Sequence, residues 1–485
     1  MQIRIPFGSE TITASVPDGT HVLRMSEPSI IENCAEAFRR CLAEPIGSRP
    51  LISIASEKLQ AAKDAGHTPS ACIVISDNTR PVPYAGDDGL LKPVLAILEE
   101  AGFEPGQITI LIACGTHRPM EPEEIRKTVG DSVFGSGVKI VNHNCRDPKA
   151  LVKLGRTERG TEVEINRIYA GADLKILTGL VESHFMAGVS GGRKSVCPGI
   201  FGEKGTYIFH GPELMGHENA RDLVLEGNPV HEESLAVAKK AGADFIVNVT
   251  LNSEFQITGI FCGDLEKAHE KAAEHLNSYV SIPVGAPYDF VITHGGFVAV
   301  NHYQAAKAAV AALGAVKEGG TILEVADNSD KNCIGSDRYR LTLSLLKQTG
   351  PAAFERCIKS PDWAFLPEQW QVQLWARVFK KIPMNNYIYY APQPDDKDWR
   401  DIPGRDGRIY LPRSAAEGSA SLRMPAAEGS ASLCLSAAEK TALVVESAVR
   451  DYLSEHGYTD QDVKSGRCRI AYLSDGPYGI PVQRK

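Results

Sequence analysis

Hydrophobic residues along this chain follow two alternating spacings. At the start, "MQIRIPFGSETITASVP" places apolar residues at every second position on either side of "GSE", which predicts two strands joined as a hairpin. Farther on come short apolar runs: "ACIVIS" (71–76), "ITILIA" (108–113), "VKIVN" (138–142) and "LKILTG" (174–179). Stretches of helical period such as "GLLKPVLAILEEAG" separate several of them. Strands and helices in that alternation predict a predominantly parallel α/β sheet.

A Pro-containing break, "SYVSIPVGAPYD" (278–289), is followed by a second α/β series. It holds "FVITHGG", the helix-like "NHYQAAKAAVAALGAVKEG" (301–319), "TILEVAD", a helix-like "EKTALVVESAVRDYLSEHG" and a last strand "RIAYLS". The expected organisation is therefore two α/β domains with largely parallel sheets, residues 1–277 and 278–485, with an active-site cleft between them. Length agrees, since 485 residues exceed the size at which a single core keeps growing. Residues 414–439 stand apart: "AAEGSASL" occurs twice, at 415–422 and 426–433, in an Ala/Ser/Gly-rich segment. Two copies cannot build a solenoid, and the composition reads as a flexible surface insertion.

Composition narrows the function. Hydrophobic residues at 43% and charged residues at 23% suit a soluble globular protein. A net charge of -8 and a pI near 6.0 supply no electrostatic reason to expect nucleic acid or an anionic membrane as partner. No apolar run reaches the roughly 18 residues that span a bilayer, and no basic, apolar leader opens the chain, so the expected location is cytoplasmic. The 11 cysteines are scattered, odd in number and free of C-x-x-C, which argues against a disulfide framework or a zinc knuckle and for small buried hydrophobes.

Candidate chemistry gathers where the strands end. "SDNTRP" follows the 71–76 strand, "CGTHRPM" follows 108–113, and "VESHFMAGVSGGRKS" follows 174–179. Ligand groups in open parallel sheets collect on loops at the carboxyl ends of strands. Taken singly, Asp77 and Arg80 would read as a turn-capping Asx and a surface cation, and His117, His184 or His210 as hydrogen-bonded loop histidines. His143, His217, His231, His294 and His302 keep that reading. Recurrence at successive strand ends favours a shared site for the first set. "GVSGGRKS" invites comparison with a phosphate-binding loop, but Gly188 and Gly192 enclose three residues where that motif has four, and Arg193 intervenes before Lys194. A lysine in a loop of small residues suits covalent attachment, because its amine must be reached from outside.

These motifs together resemble the nickel-dependent lactate racemases. "SDNTRP", "GTHRPM", "SHFMAGVSGGRKSVCPGI", His210 downstream and "HYQAAK" occur in that family's order, and the resemblance spans the chain apart from the 414–439 insertion. It implies a nickel-pincer nucleotide, a pyridinium thioamide–thiocarboxylate mononucleotide made by cofactor-assembly enzymes and bound covalently to Lys194, with His210 as the protein ligand to nickel. His117 and His184 would be the paired acid/base residues, and Asp77 and Arg80 would line the cofactor and substrate site. Gln304 and Lys307 would bind substrate from the second domain, and Trp370 in "PEQWQ" would close the pocket.

The implied reaction is racemisation or epimerisation of a 2-hydroxy acid. Removing the carbon-bound hydrogen as a proton leaves a poorly stabilised anion, whereas a hydride acceptor leaves a planar 2-keto acid. Two antipodal substrate poses need two bases, and histidine titrates near neutrality. Arg80 and Lys307 are the cations for the carboxylate. Relatives in that family act on lactate, malate, other 2-hydroxy acids and sugar acids. Two further readings stand beside this one: a nucleotide- or metal-binding protein of the same fold that does not racemise, and a phosphotransferase using the glycine-rich loop.

Overall fold

The computed structural model describes residues 1–412 and 435–483, so the "AAEGSASL" repeat at 415–433 lies outside the described residues. The chain divides into two compact units, Glu27–Tyr279 and Met1–Ser26 with Val280–Lys485.

In the first unit the apolar runs become the strands of one six-stranded sheet. From edge to edge its order is Ile257–Gly263, Phe245–Leu251, Leu174–Leu180, Ala71–Ser76, Ile108–Ala113 and Lys139–Asn142. All neighbours run parallel except the Ile257–Gly263 edge, which is antiparallel to Phe245–Leu251. Ile73, Val74, Ile75, Ile110, Leu111 and Ile112 are fully buried, as expected of parallel strands covered on both faces. The amphipathic helices Leu51–Asp64 and Leu91–Glu100 turn Leu59, Val94 and Leu98 into the same core.

The strand order reverses beside Ala71–Ser76. The chain moves from that strand to Ile108–Ala113 and Lys139–Asn142 on one side, then returns to lay Leu174–Leu180 on the other. The loops leaving Ser76 and Leu180 therefore diverge above a switch point, where open α/β sheets bind ligands.

The second unit is built on a six-stranded, all-parallel sheet ordered Arg405–Asp406, Tyr387–Tyr390, Val316–Val325, Tyr288–His294, Ile470–Leu473 and His21–Leu23. Its last strand comes from the chain's beginning, which differs from the expectation of a domain running from residue 1 to 277. The cause lies in the hairpin Gln2–Phe7/Glu10–Ser15: its alternate residues Ile3, Ile5, Phe7, Ile12 and Ala14 need cover and enter one core with Phe290, Ile292, Leu323 and Tyr452.

Two element boundaries also differ from their sequence expectation. The helix expected over 301–319 is His302–Ala312, and Val316 already begins a strand; Gly314 lies in the turn between them, where a side chain would come 1.9 Å from the Pro481 carbonyl oxygen. The helix expected from 439 starts at Ala437, two residues earlier and within the segment 414–439, where Ser436 and Glu439 form a reciprocal capping box. Among the described residues all ten cysteines are free, and no helix is long and apolar enough to cross a membrane.

Candidate active site

Asp77 immediately follows the strand Ala71–Ser76 and is 4% exposed. Its Oδ2 lies 2.7 Å from His117 Nδ1, and its Oδ1 accepts hydrogen bonds from the Thr79 hydroxyl and amide. Burial pushes the carboxyl upward, but the bonds from His117 and Thr79 outweigh it and hold Asp77 below the usual carboxylate range. His117, on the turn after Ile108–Ala113, is 56% exposed at its side chain. With Nδ1 engaged by Asp77, Nε2 is the nitrogen turned to other partners.

Arg80 bridges the switch point. Its Nε stands 3.0 Å from Glu182 Oε1, on the loop leaving Leu174–Leu180, and its Nη1 donates to the Thr79 carbonyl oxygen at 3.1 Å. Both charged side chains are about one-third exposed, so this contact acts more by aligning the two loops than by adding stability.

The loop beyond Glu182 folds back on itself. Ser183–His184 pairs antiparallel with Gly188–Val189, and Gly188 makes the turn at φ 78 with no room for a Cβ, which would lie 2.3 Å from the Val224 carbonyl oxygen. His184 is 7% exposed. Its Nδ1 accepts from the Met186 and Ala187 amides at 3.4 and 3.3 Å, and Phe185 stacks on the ring at 4.9 Å. That leaves His184 Nε2 toward Lys194 Nζ, 3.1 Å away.

Lys194 sits on the single turn Gly192–Ser195, pinned to the sheet where Ser195 Oγ donates to the Thr178 carbonyl oxygen at 2.7 Å. The side chain is only partly accessible, with Nζ 5.2 Å from the centre of the Phe209 ring. Desolvation first, then the charges of Arg193 and Arg80, bring its pKa down to about 7. The amine is thus substantially uncharged at neutral pH, the nucleophilic form.

His210 ends the helix Glu203–Phe209 and is partly buried, its ring edge-on to Phe209. Burial and the nearby Lys194 lower its pKa to about 3, so it is a neutral imidazole with a lone pair to share. Electrostatic coupling of His210 to both Lys194 and His117 puts these groups in one neighbourhood.

The sequence-derived residues Asp77, Arg80, His117, His184, Lys194 and His210 thus gather in one unit. Gln304, Lys307 and Trp370 belong to the other. Gln304 and Lys307 lie one turn apart on the helix His302–Ala312, whose start is capped by Asn301 accepting from the Gln304 amide at 3.0 Å. Trp370 Nε1 donates to the Tyr303 hydroxyl at 2.9 Å. His143, read from sequence as a hydrogen-bonded loop histidine, has both ring nitrogens met, by Phe201 O and Asn166 Nδ2 at 3.1 Å each.

Sequence reasoning missed Glu182, Arg193 and Phe209. Glu182 carried a signal, a charge placed directly after a buried strand; Arg193 figured only as an interruption of a phosphate-loop pattern; Phe209 carried none.

Comparisons with known proteins agree along the chain. The family description of the lactate racemase N-terminal domain matches residues 7–222, and that of the lactate racemase C-terminal domain matches residues 285–397. The chain is 33% identical over 402 residues to the lactate racemase of Lactiplantibacillus plantarum, covering 82% of this chain and 89% of that protein. To the lactate racemase of Thermoanaerobacterium thermosaccharolyticum it is 31% identical over 389 residues, covering 78% and 85%. The solved structure of the lactate racemase apoprotein from Thermoanaerobacterium thermosaccharolyticum superposes with a TM-score of 0.79 at 25% identity, covering all of both chains. A Thermotoga maritima protein, at TM-score 0.54 and 20% identity over 76% of this chain and 94% of that one, shares the fold. Lactate racemases are isomerases, and this chain belongs to the lactate racemase family.

Proposed function

We propose that this protein interconverts the enantiomers of a small 2-hydroxy acid, lactate being the first candidate, with a nickel-pincer nucleotide attached to Lys194. The observation that carries the reading is the Lys194 amine, held near pKa 7 and 3.1 Å from His184 Nε2, on a loop that Arg80 and Glu182 tie to the one bearing Asp77.

The residues fit such a group. Lys194 has a large neutral, nucleophilic fraction near pH 7, and His210 is an uncharged imidazole of the kind nickel accepts. Gly191 and Gly192, at φ 74 and 50, keep the loop free of side chains beside the lysine. When bound, the pincer nucleotide supplies a hydride acceptor and donor, so that the carbon-bound hydrogen need not leave as a proton.

The chain's own residues handle protons and orientation. His117 takes or returns the substrate's hydroxyl proton at Nε2, because Asp77 holds its Nδ1; His184 serves the opposite enantiomer, and to take a proton at Nε2 it must release the Met186 and Ala187 amides, which hold the neutral ring as the Nε2–H tautomer. Both oxygens of Asp77 are engaged, by His117 and by Thr79, which favours a role in orienting His117 over contact with the cofactor. The Arg80 guanidinium, with Nε and Nη1 directed to Glu182 and Thr79, keeps Nη2 for a substrate carboxylate. The family resemblance is what supports substrate-binding roles for Gln304, Lys307 and Trp370 of the second unit. A lysine near pKa 7 suits a phosphate cradle poorly, which weighs against the phosphotransferase reading.

The test is co-expression with cofactor-assembly enzymes, followed by intact-mass analysis and chiral separation of lactate. A covalent adduct mapping to Lys194, D/L interconversion, and loss of both in a folded Lys194→Ala protein are expected. Full turnover by Lys194→Ala would overturn the covalent assignment, and ATP-dependent turnover would replace it with phosphoryl transfer.

A further inference from the structure

Arg193 is 1% exposed, the one lysine or arginine fully buried among the described residues. It has no carboxylate partner there. Its Nη2 donates to the carbonyl oxygens of Ala187 and Val189 at 2.7 and 2.8 Å, and its Nη1 to that of Gly191 at 3.3 Å. Nη1 also lies 2.8 Å from His269 Nε2, a nitrogen that stands 2.9 Å from the Ser190 carbonyl oxygen as well; it either accepts from the guanidinium or donates to Ser190, so the three carbonyls are the acceptors that define the clamp. Nε meets no acceptor among the described residues.

A desolvated cation without a counter-charge is costly, and native proteins rarely keep one without a use. Here every carbonyl it binds comes from a single loop. Residues 187, 189 and 191 turn their oxygens inward around the guanidinium, and the winding needs glycine twice. A Cβ at Gly191 would fall 2.6 Å from Val181 Cγ2, and one at Gly192 would fall 2.7 Å from the His269 ring. His184 stands at one end of this coil and Lys194 at the other, and their side chains meet at 3.1 Å.

We infer that Arg193 is a positioning residue: by gathering the carbonyls of Ala187, Val189 and Gly191 it sets the loop that brings His184 and Lys194 together. The meaning of that pair rests on the function proposed above, whereas the clamp itself is a property of the chain without cofactor. Lysine cannot replace it, because one ammonium lacks the planar fork that reaches carbonyls on two sides.

The test uses full-length apoprotein, wild type, Arg193→Lys and Arg193→Met, each checked for a cooperative melt. Hydrogen exchange read by mass spectrometry follows the amides of residues 183–192. Acetylation by N-hydroxysuccinimidyl acetate, resolved by peptide, follows the pH profile of Lys194, which faces Arg193, Arg80, Glu182, Cys197, His184 and His210. In both variants the loop should exchange ~10-fold faster or more, while peptides from Leu91–Glu100 stay unchanged. Arg193→Met removes a charge that itself lowers the Lys194 pKa, so the Lys194 profile is read in Arg193→Lys, where the charge is kept and a move to higher pH reports a displaced loop. Wild-type exchange and profile in a folded variant would overturn the clamp. Collapse of both variants to unfolded chains would also overturn it, by making Arg193 part of the general core. Acetylation needs no cofactor, so a wild-type protein that never acquires an adduct would sink the proposed function and leave this result standing.

Discussion

Asp77, 4% exposed, and His117, 56% exposed at its side chain, share one hydrogen bond of 2.7 Å. A buried carboxylate thus fixes the tautomer of an accessible imidazole. Asp77→Asn should keep the fold and lower kcat by ~10²-fold or more with a smaller change in KM, as expected when a base is presented in the wrong tautomer. Steady-state racemisation kinetics check it, and an unchanged kcat would remove Asp77 from the mechanism.

The two histidines should divide the enantiomers between them. His117→Ala and His184→Ala should each abolish full racemisation, since a complete cycle uses both. Each should retain a single turnover of one enantiomer, with the disfavoured one slowed ~10²–10⁴-fold. Chemical quench and assay of 2-keto acid after mixing with D- or L-lactate measures this. Equal losses for both enantiomers in both variants would show that the pair works as a unit.

Lys194 should leave a signature in the pH dependence of stability. Its folded pKa is about 7 against an ordinary lysine value of 10.5, so between those values the unfolded chain binds a proton that the folded one does not, and stability rises with pH through that window. Below about 7 the penalty is present in full. Lys194→Met should therefore raise the Tm of the apoprotein at pH 6 and lose that advantage as pH approaches 10. Calorimetry at the two pH values decides it; an equal Tm change at both would contradict the assignment.

Glu324 offers the opposite sign in the other unit. It is fully buried on a central strand, with Tyr387 donating to Oε2 at 3.0 Å and Oε1 without a partner among the described residues. Burial raises its pKa well above 4.5 despite the Tyr387 bond, so the folded state holds a proton that the unfolded chain sheds, and stability falls as pH rises above about 4.5. Glu324→Gln should be stabilising at pH 8 by roughly 1–3 kcal/mol and near neutral at pH 4. Denaturant melts at both values measure it, and destabilisation at pH 8 would show the carboxyl to be better satisfied than this geometry implies.

Much of this protein is legible locally. Apolar runs such as "ACIVIS" and "ITILIA" determine buried parallel strands, because residues covered on both faces need no polar alternation, and the polar clusters that follow them mark strand ends where a ligand site forms. The order of motifs determines the family. Tertiary structure decided which of those groups meet. Arg80 finds Glu182 only because Leu174–Leu180 returns to lie beside Ala71–Ser76, and His117 finds Asp77 because Ile108–Ala113 is the neighbour on the other side. The first 26 residues join the second unit because the hairpin's alternate apolar face, readable in sequence, is covered by residues far along the chain. Arg193, which looked like an interruption in a glycine-rich loop, proves to be the loop's centre. Side-chain periodicity encodes what an element buries, but the identity of its partner depends on strand order and loop path, which are set by packing over the whole core.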